Sequence, residues 1–252
     1  MVALIPARAG SKRIPGKNLK LFRGHPLIAY TIAAAKQSGV FTDVLVSSED
    51  DATLRLARKY GAGAIWRPPA YSSDTAPDIL WVKQVLLRLK ESGHRPDAFA
   101  ILRPTAPFRT AETIRRCARE FHAPDQTVDS MRAVEPAQQS PYKMWVLPYE
   151  FGPLKPLLEG KHPDGTPYHS SPTQTCPIVY VQNASLEMSW TSNVEVYGTL
   201  TGRKICPFVT RDLEGFDLNT PADWREAEHL AACYPDRLPP VDVARVSSTA
   251  QT

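Results

Sequence analysis

A short apolar run at the start of the sequence breaks into ARAGSKRIPGKN, where Arg8, Lys12, Arg13 and Lys17 are interleaved with Gly10, Ser11, Pro15 and Gly16. Small residues let backbone N–H groups approach a phosphate closely, a guanidinium offers a planar fork, and an ammonium offers a point charge. Such a loop can cradle a polyanion. A nucleoside triphosphate, with roughly four negative charges, would need this cradle and a metal ion. Two familiar phosphate loops do not fit. In a Walker loop two glycines bracket four residues and are followed by Lys and a hydroxyl residue; here Gly10 and Gly16 are one position too far apart, and Asn18 stands where the hydroxyl should be. The G-x-G-x-x-G dinucleotide fingerprint is absent. On residue types alone, a phosphate cradle and an ordinary basic surface turn remain equally open.

The elements around this loop decide what it could serve. VALIPA, before it, reads as a buried strand, and HPLIAYTIAAAKQSG, after it, as a helix with Pro26 in its first turn and Gly39 as its stop. Strand and helix then alternate: DVLVSSED, DATLRLARKYG, GAIWRP, APDILWVKQVLLRLKESG, DAFAILRPTAPF, TAETIRRCAREF and TVDSMRAV. This alternation predicts a mostly parallel sheet wrapped by helices, a three-layer α/β/α arrangement with the ligand at the carboxyl ends of the strands. Residues 136–177 are proline-rich and aperiodic, and read as an arm or lid. VYVQNASLEMSW and VEVYGTL read as further strands, and DLNTPADWREAEHLAACY as a helix capped by Thr220 with Asp223 three positions on. The expected organisation is a single domain over residues 1–235, including the arm, and a disordered tail over 236–252.

Composition narrows the function classes. With 252 residues and 42% hydrophobic content the chain can bury a full α/β core. A formal net charge of +4, with no basic run, argues against a nucleic-acid partner and leaves small anionic substrates open. No segment approaches the ~20 apolar residues of a membrane span, and the N-terminal run is too short for a signal peptide. The 4 cysteines are far apart, without a C-x-x-C pair, so reduced thiols in a cytoplasmic protein are expected rather than a zinc site or a disulfide framework.

IPARAGSKRIPGKNLK closely resembles the signature of the acylneuraminate cytidylyltransferases, the CMP-sialic acid synthetase family, which reads I-P-A-R-G-G-S-K-x-[IL]-P-x-K-N. The resemblance continues in RPPAYSSDTAP, LRPTAPFR and FDLNTPADW, and so spans Val2 to Trp224. It implies a Rossmann-like nucleotidyltransferase sheet with a small dimerisation arm, and a homodimer. It also implies the reaction: an acceptor oxygen attacks the α-phosphorus of CTP, giving a CMP-linked product and pyrophosphate. By the resemblance, Arg8 and Lys17 hold the phosphates, Ala9, Gly10 and Ser11 line them, Asn18 sits near the α-phosphate or ribose, and Arg67, Asp74 and Thr75 complete the CTP pocket. Mg²⁺ would be held where the family has D-x-D. Here that place reads Asp217-Leu218-Asn219, and alternation along an extended segment puts Asp217 and Asn219 on one face. Asp217 is expected to be the principal ligand and Asn219 a weaker or water-mediated one; the competing reading is that Asp217 only decorates the turn.

The departures from the family fall on the acceptor side. Arg103 stands where the family has glutamine, and Asn183-Ala184-Ser185-Leu186-Glu187 replaces N-G-x-[IV]-Y. The expected acceptor contacts are Arg103, Thr105, Arg109, Gln182 and Asn183. A sialic-acid-like 2-keto sugar acid is the first choice of acceptor and a small phosphonate or other nonstandard acid the rival. Arg103 itself reads either as a direct contact or as the partner of a neighbouring carboxylate. His162 and His169 in the arm read as solvated loop residues rather than acid–base groups, and Tyr142, Trp145, Tyr149 and Phe151 as contact surface. Two other classes compete: a nucleotide-binding protein without catalysis, because the metal motif is altered, and a glycosyltransferase using a similar sheet.

Overall fold

The computed structural model describes residues 1–123, 127–148 and 152–242. Residues 1–133 and 183 onward form one compact unit, and residues 134–182 a second.

The first unit is built on a seven-stranded sheet. The strands are β1 (Val2–Pro6), β4 (Asp43–Ser48), β5 (Gly63–Trp66), β6 (Ala98–Ile101), β7 (Ser130–Pro136), β10 (Tyr180–Trp190) and β11 (Ile205–Val209), in the order β11-β7-β10-β6-β1-β4-β5. β1 runs parallel to β4 and β6, β4 runs parallel to β5, and β10 runs antiparallel to β6. A hairpin of β2 (Leu21–Phe22) and β3 (His25–Pro26) follows the first loop. The helices are α1 (Leu27–Ser38), α2 (Asp51–Lys59), α3 (Asp78–Glu91), α4 (Ala111–Phe121), α5 (Thr191–Glu195) and α6 (Pro221–Cys233).

The two-residue period of β1 explains the layering. Ala3 and Ile5 join the core formed with Ile28, Ala29 and Ile114, from α1 and α4. Val2 and Leu4 face the other way, into Trp81, Val85 and Leu89 of α3. Each of these large side chains, fully buried, contributes about 1.5–3 kcal/mol of burial free energy. Capping sets the helix ends. Gly39 closes α1 in the left-handed region at φ 65°, which a β-carbon would oppose. Thr110 and Thr220 open α4 and α6 with reciprocal capping boxes, the second closed by Asp223.

One expected strand is absent and another appears. Val194–Leu200 does not form a strand: α5 takes its first residues, Val194 enters the core, Val196 and Tyr197 are both 70% exposed, and Gly198 turns the chain at φ 66°. The run alternates, but only its ends, Val194 and Leu200, pack on the core, and the chain between them turns outward. Ile205–Val209 is a strand despite Pro207, because it lies at the edge of the sheet, where a missing N–H costs no ladder bond. Of the expected disordered tail, Pro235–Arg237 forms a 3₁₀ turn, Gln37 donates to the Pro240 carbonyl at 2.7 Å and Val241 packs on the core; residues 243–252 lie outside the described residues.

The second unit carries its own small hairpin, β8 (Trp145–Val146) with β9 (Lys155–Pro156), and a bridge between Lys161 and Pro167. Lys143 donates to the Ser171 carbonyl, and Tyr142 packs on Tyr168 with ring centroids 4.9 Å apart. His162 lies edge-on to Tyr168 and meets the Thr175 hydroxyl at 3.3 Å, while His169 packs on Trp145. His162 also lies near the Asp164 carboxylate. Tyr149 and Phe151 lie outside the described residues. Among the described residues no helix is long and apolar enough to cross a membrane.

Candidate active site

The loops after β1, β5 and β6 open at the same edge of the sheet, because those strands are parallel. They line a cavity of ≈ 440 Å³, whose walls include Arg8, Ser11, Lys17 and Asn18 after β1, Arg67, Asp74 and Asp78 after β5, and Arg103 and Thr105 after β6. Ala184 of β10 and the Asp217–Asn219 turn complete it. An adjoining hollow, also ≈ 440 Å³, is lined by Lys12 and Arg13 together with the shared Arg8, Lys17, Asp74 and Asn219.

The first loop is held in shape from within. Asn18 is buried and donates to the Arg8 carbonyl at 3.1 Å. Gly16 has φ +61°, so the turn that delivers Lys17 needs a residue without a β-carbon. The Lys17 ammonium donates to the Leu218 carbonyl at 2.7 Å. Burial lowers its pKa below that of an ordinary lysine; Asp217 opposes that shift, and Arg13 and Arg8 add to it. Arg8 and Lys12 both pair with Asp74, at 2.6 and 2.5 Å, which holds the Asp74 carboxyl below its usual range.

Arg67 is almost wholly buried, donates to the hydroxyl and carbonyl of Ser47, and lies 5.0 Å from the Trp81 ring centroid. Burial brings its pKa down to about 10. It is a fixed cation at the cavity wall.

The Asp217–Asn219 turn is extended, as alternation requires. Leu218 is buried in the core while its two neighbours line the cavity. The turn is pinned by Leu218 N–H to the Thr105 carbonyl at 2.8 Å, and by Asp223 accepting from the Asn219 and Thr220 N–H groups at 2.8 and 2.7 Å. Asn219 donates its amide to Asp217 Oδ2 at 2.5 Å, and Asp217 Oδ1 is buried with no hydrogen-bond partner. An orphaned carboxylate oxygen facing a polar cavity is what a hard cation would satisfy. Among the described residues no group of three His, Cys, Asp or Glu side chains could hold a metal by itself. An ion here would have to share its coordination with ligand phosphates and water, which is the habit of Mg²⁺.

Several expected residues lie elsewhere. Ala9 and Gly10 do not line the cavity: the Ala9 N–H donates to Glu49 at 2.7 Å, so it is not aimed at a ligand. Thr75 is exposed and outside the lining. Arg109 does not line the cavity. It is 1% exposed and donates to the carbonyls of Ser185 and Arg103 and to the Thr31 hydroxyl, tying β10 to α1. Burial lowers its pKa to about 9. Asn183 donates to the Thr210 hydroxyl at 2.9 Å and accepts from Ser185 N–H; its neighbour Ala184 reaches the cavity instead. Gln182 belongs to the second unit and is exposed. Sequence reasoning did not assign Asp78, Tyr71, Ser72 or Ser73 to the cavity. The signal was available in the polar stretch Tyr71–Asp78, which continues from a motif already singled out.

A mostly parallel α/β sheet, with a basic loop off its central strand and a carboxylate turn facing it, is the framework of a nucleotide-transferring protein. The comparisons agree. The cytidylyltransferase family model matches residues 2–138. The sequence is 33% identical to the CMP-N,N'-diacetyllegionaminic acid synthase of Legionella pneumophila, over 91% of this chain and 95% of that protein. It is 37% identical to the pseudaminic acid cytidylyltransferase of Campylobacter jejuni over 48% of this chain, a match that spans about half (52%) of that relative. Its fold superposes on that of CMP:2-keto-3-deoxy-manno-octonic acid synthetase complexed with CTP, with a TM-score of 0.67 at 17% identity, covering 92% of this chain and 98% of that one. The chain belongs to the cytidylyltransferase family, CTP-dependent nucleotidyltransferases.

Proposed function

We propose that this protein transfers CMP from CTP to a 2-keto sugar acid of the nonulosonic, sialic-acid-like class, as a Mg²⁺-dependent homodimer. The observation that carries the transfer chemistry is the gathering of Arg8, Lys12, Arg13 and Lys17 in two adjoining hollows, with Asp217 beside Lys17. The cations offset the triphosphate charge, and Arg8 and Lys12 would exchange Asp74 for phosphate oxygens on binding. Lys17, fixed by Leu218, keeps its ammonium beside Asp217. In this reading Arg67 walls the nucleoside side and the Arg103 end receives the acceptor, so the residues act by positioning and charge rather than by covalent chemistry. A divalent ion held by Asp217, with Asn219 as a secondary ligand, would supply charge neutralisation at the phosphates. The sugar-acid acceptor follows from likeness to the legionaminic acid enzyme along nearly the whole chain.

The homodimer rests on the second unit, which exposes Met144, Trp145, Leu147, Leu154, Leu157 and Ile178. An apolar surface of that kind calls for a partner, and a monomer by light scattering at working concentration would remove it. Pyrophosphate release from CTP, assayed against N,N'-diacetyllegionaminic acid, pseudaminic acid and N-acetylneuraminate with Mg²⁺ present, tests the function. Release with at least one of them is expected; CTP binding with no release for any would leave a nucleotide-binding protein.

A further inference from the structure

The Arg103 end of the cavity differs from the phosphate end in how its charge is held. Arg103 Nη2 donates to Asp78 Oδ2 at 2.6 Å and to Glu187 Oε1 at 3.1 Å. The second Glu187 oxygen pairs with Arg132 at 3.2 Å. The sheet builds this row: Glu187 on β10 lies opposite Ile101 of β6, two residues before Arg103, and Arg132 stands on β7, the next strand beyond β10. Asp78 opens α3, where the helix N-terminus favours a carboxylate, and the Trp81 indole N–H fixes it at 2.8 Å. Burial would raise the Asp78 pKa, but Arg103 and Trp81 outweigh it and the net shift is downward. Within this ion-paired row two arginines meet two carboxylates, and the buried Arg67 also acts on Asp78.

The geometry of the guanidinium adds a second restriction. Nη2 is the nitrogen common to both of its forks, one shared with Nη1 and one with Nε. With two carboxylates on Nη2, neither fork is whole. Only the Nε and Nη1 hydrogens are left for a ligand, and these make single hydrogen bonds. The site that looks in sequence like an anion clamp has lost both the net charge and the two-pronged grip.

We infer that Asp78 and Glu187 set acceptor specificity through Arg103: they hold it neutralised, so that it reads a neutral oxygen of the acceptor, a hydroxyl or an amide carbonyl, and rejects a compact dianion such as a phosphonate. This deepens the acceptor reading above and rests on it only for the identity of the preferred acid. Asp78 and Glu187 are positioning residues acting through Arg103.

The test is calorimetric titration of phosphonoacetate into CTP-saturated protein with EDTA, so that the triphosphate cradle is filled and no turnover occurs. Wild type should bind it weakly, and Glu187→Gln about tenfold more tightly, because one cancelling charge is gone. Asp78→Asn should act in the same direction and serves in its place if Glu187→Gln does not fold, which unchanged CTP affinity would exclude. In an Arg103→Gln background the gain from Glu187→Gln should vanish; a merely structural role for Glu187 predicts no such coupling. Wild type binding phosphonoacetate as tightly as Glu187→Gln, or a gain that survives loss of Arg103, would overturn the inference. Absence of turnover with every sugar acid would remove the acceptor reading but leave this binding result standing.

Discussion

The two ends of the cavity use their cations differently: four basic side chains gather at the phosphate end, whereas at the other end Arg103 is ion-paired with Asp78 and Glu187. At the phosphate end Arg8, Lys12, Arg13 and Lys17 line adjoining hollows with Asp74 and Asp217, so positive charge is in excess, and two of the four cations share Asp74 in exposed, exchangeable pairs. At the other end Arg103 and Arg132 are both ion-paired, and the buried Glu187 bridges them. An excess of loosely held cations attracts an anion and lets it displace the resident carboxylate; a buried balanced network fixes shape and discriminates. Arginine at a ligand site therefore means nothing until its carboxylates have been counted.

The sharpest way to break this contrast is at the metal turn. Asp217→Ala should cut turnover by about 100-fold or more with CTP affinity in EDTA little changed; near-normal rates would reduce Asp217 to a decoration of the turn before α6. Next in size, Lys17→Ala should lower kcat/KM for CTP by about 100-fold, read by steady-state kinetics at fixed acceptor. Arg109→Lys should cost about 2–4 kcal/mol of stability, since the shorter cation cannot keep the carbonyl contacts of a buried guanidinium. Denaturant unfolding would show this, and an altered acceptor KM in the folded variant would return Arg109 to the acceptor site.

Two smaller effects sharpen the comparison. The Lys17 pKa is lowered by burial, and a bound triphosphate favours the charged ammonium. CTP affinity should accordingly weaken with rising pH sooner than the ordinary lysine value of 10.5 would dictate, with proton uptake on binding across that range by calorimetry in buffers of different ionisation enthalpy. A pH-independent affinity up to that value would deny Lys17 contact with the phosphates. Asp74→Asn should tighten CTP binding by about threefold, because Arg8 and Lys12 lose a competitor; weaker binding would mean that Asp74 itself holds the nucleotide.

Much of this was legible in the sequence, for identifiable reasons. The parallel core was readable because β1, β4 and β6 are short apolar runs alternating with capped, periodic helices. Arg8, Lys17, Asn18, Arg67, Arg103 and Asp217 could be placed because their motifs follow strands that all open on one edge. Arg109 misled because its motif neighbour faces the cavity: in LRPTAPFR the two prolines turn the chain so that Arg103 points out and Arg109 points in. Val194–Leu200 misled because alternation describes a face but not a partner for it. That Arg103 could partner a neighbouring carboxylate was readable, but not which one: Asp78 opens α3, and Glu187 and Arg132 are brought alongside only by the strand order.

The bond from the Lys17 ammonium to the Leu218 carbonyl joins positions separated by 201 residues. Until the carboxyl-terminal turn has docked, the lysine has no anchor and the carboxylate facing it is not in place. A nascent chain still missing that turn therefore has no completed pocket with which free nucleotide could assist its maturation. Contacts so far apart in sequence are intrinsically slow to form, so the pocket is complete only once both ends of the chain have come together.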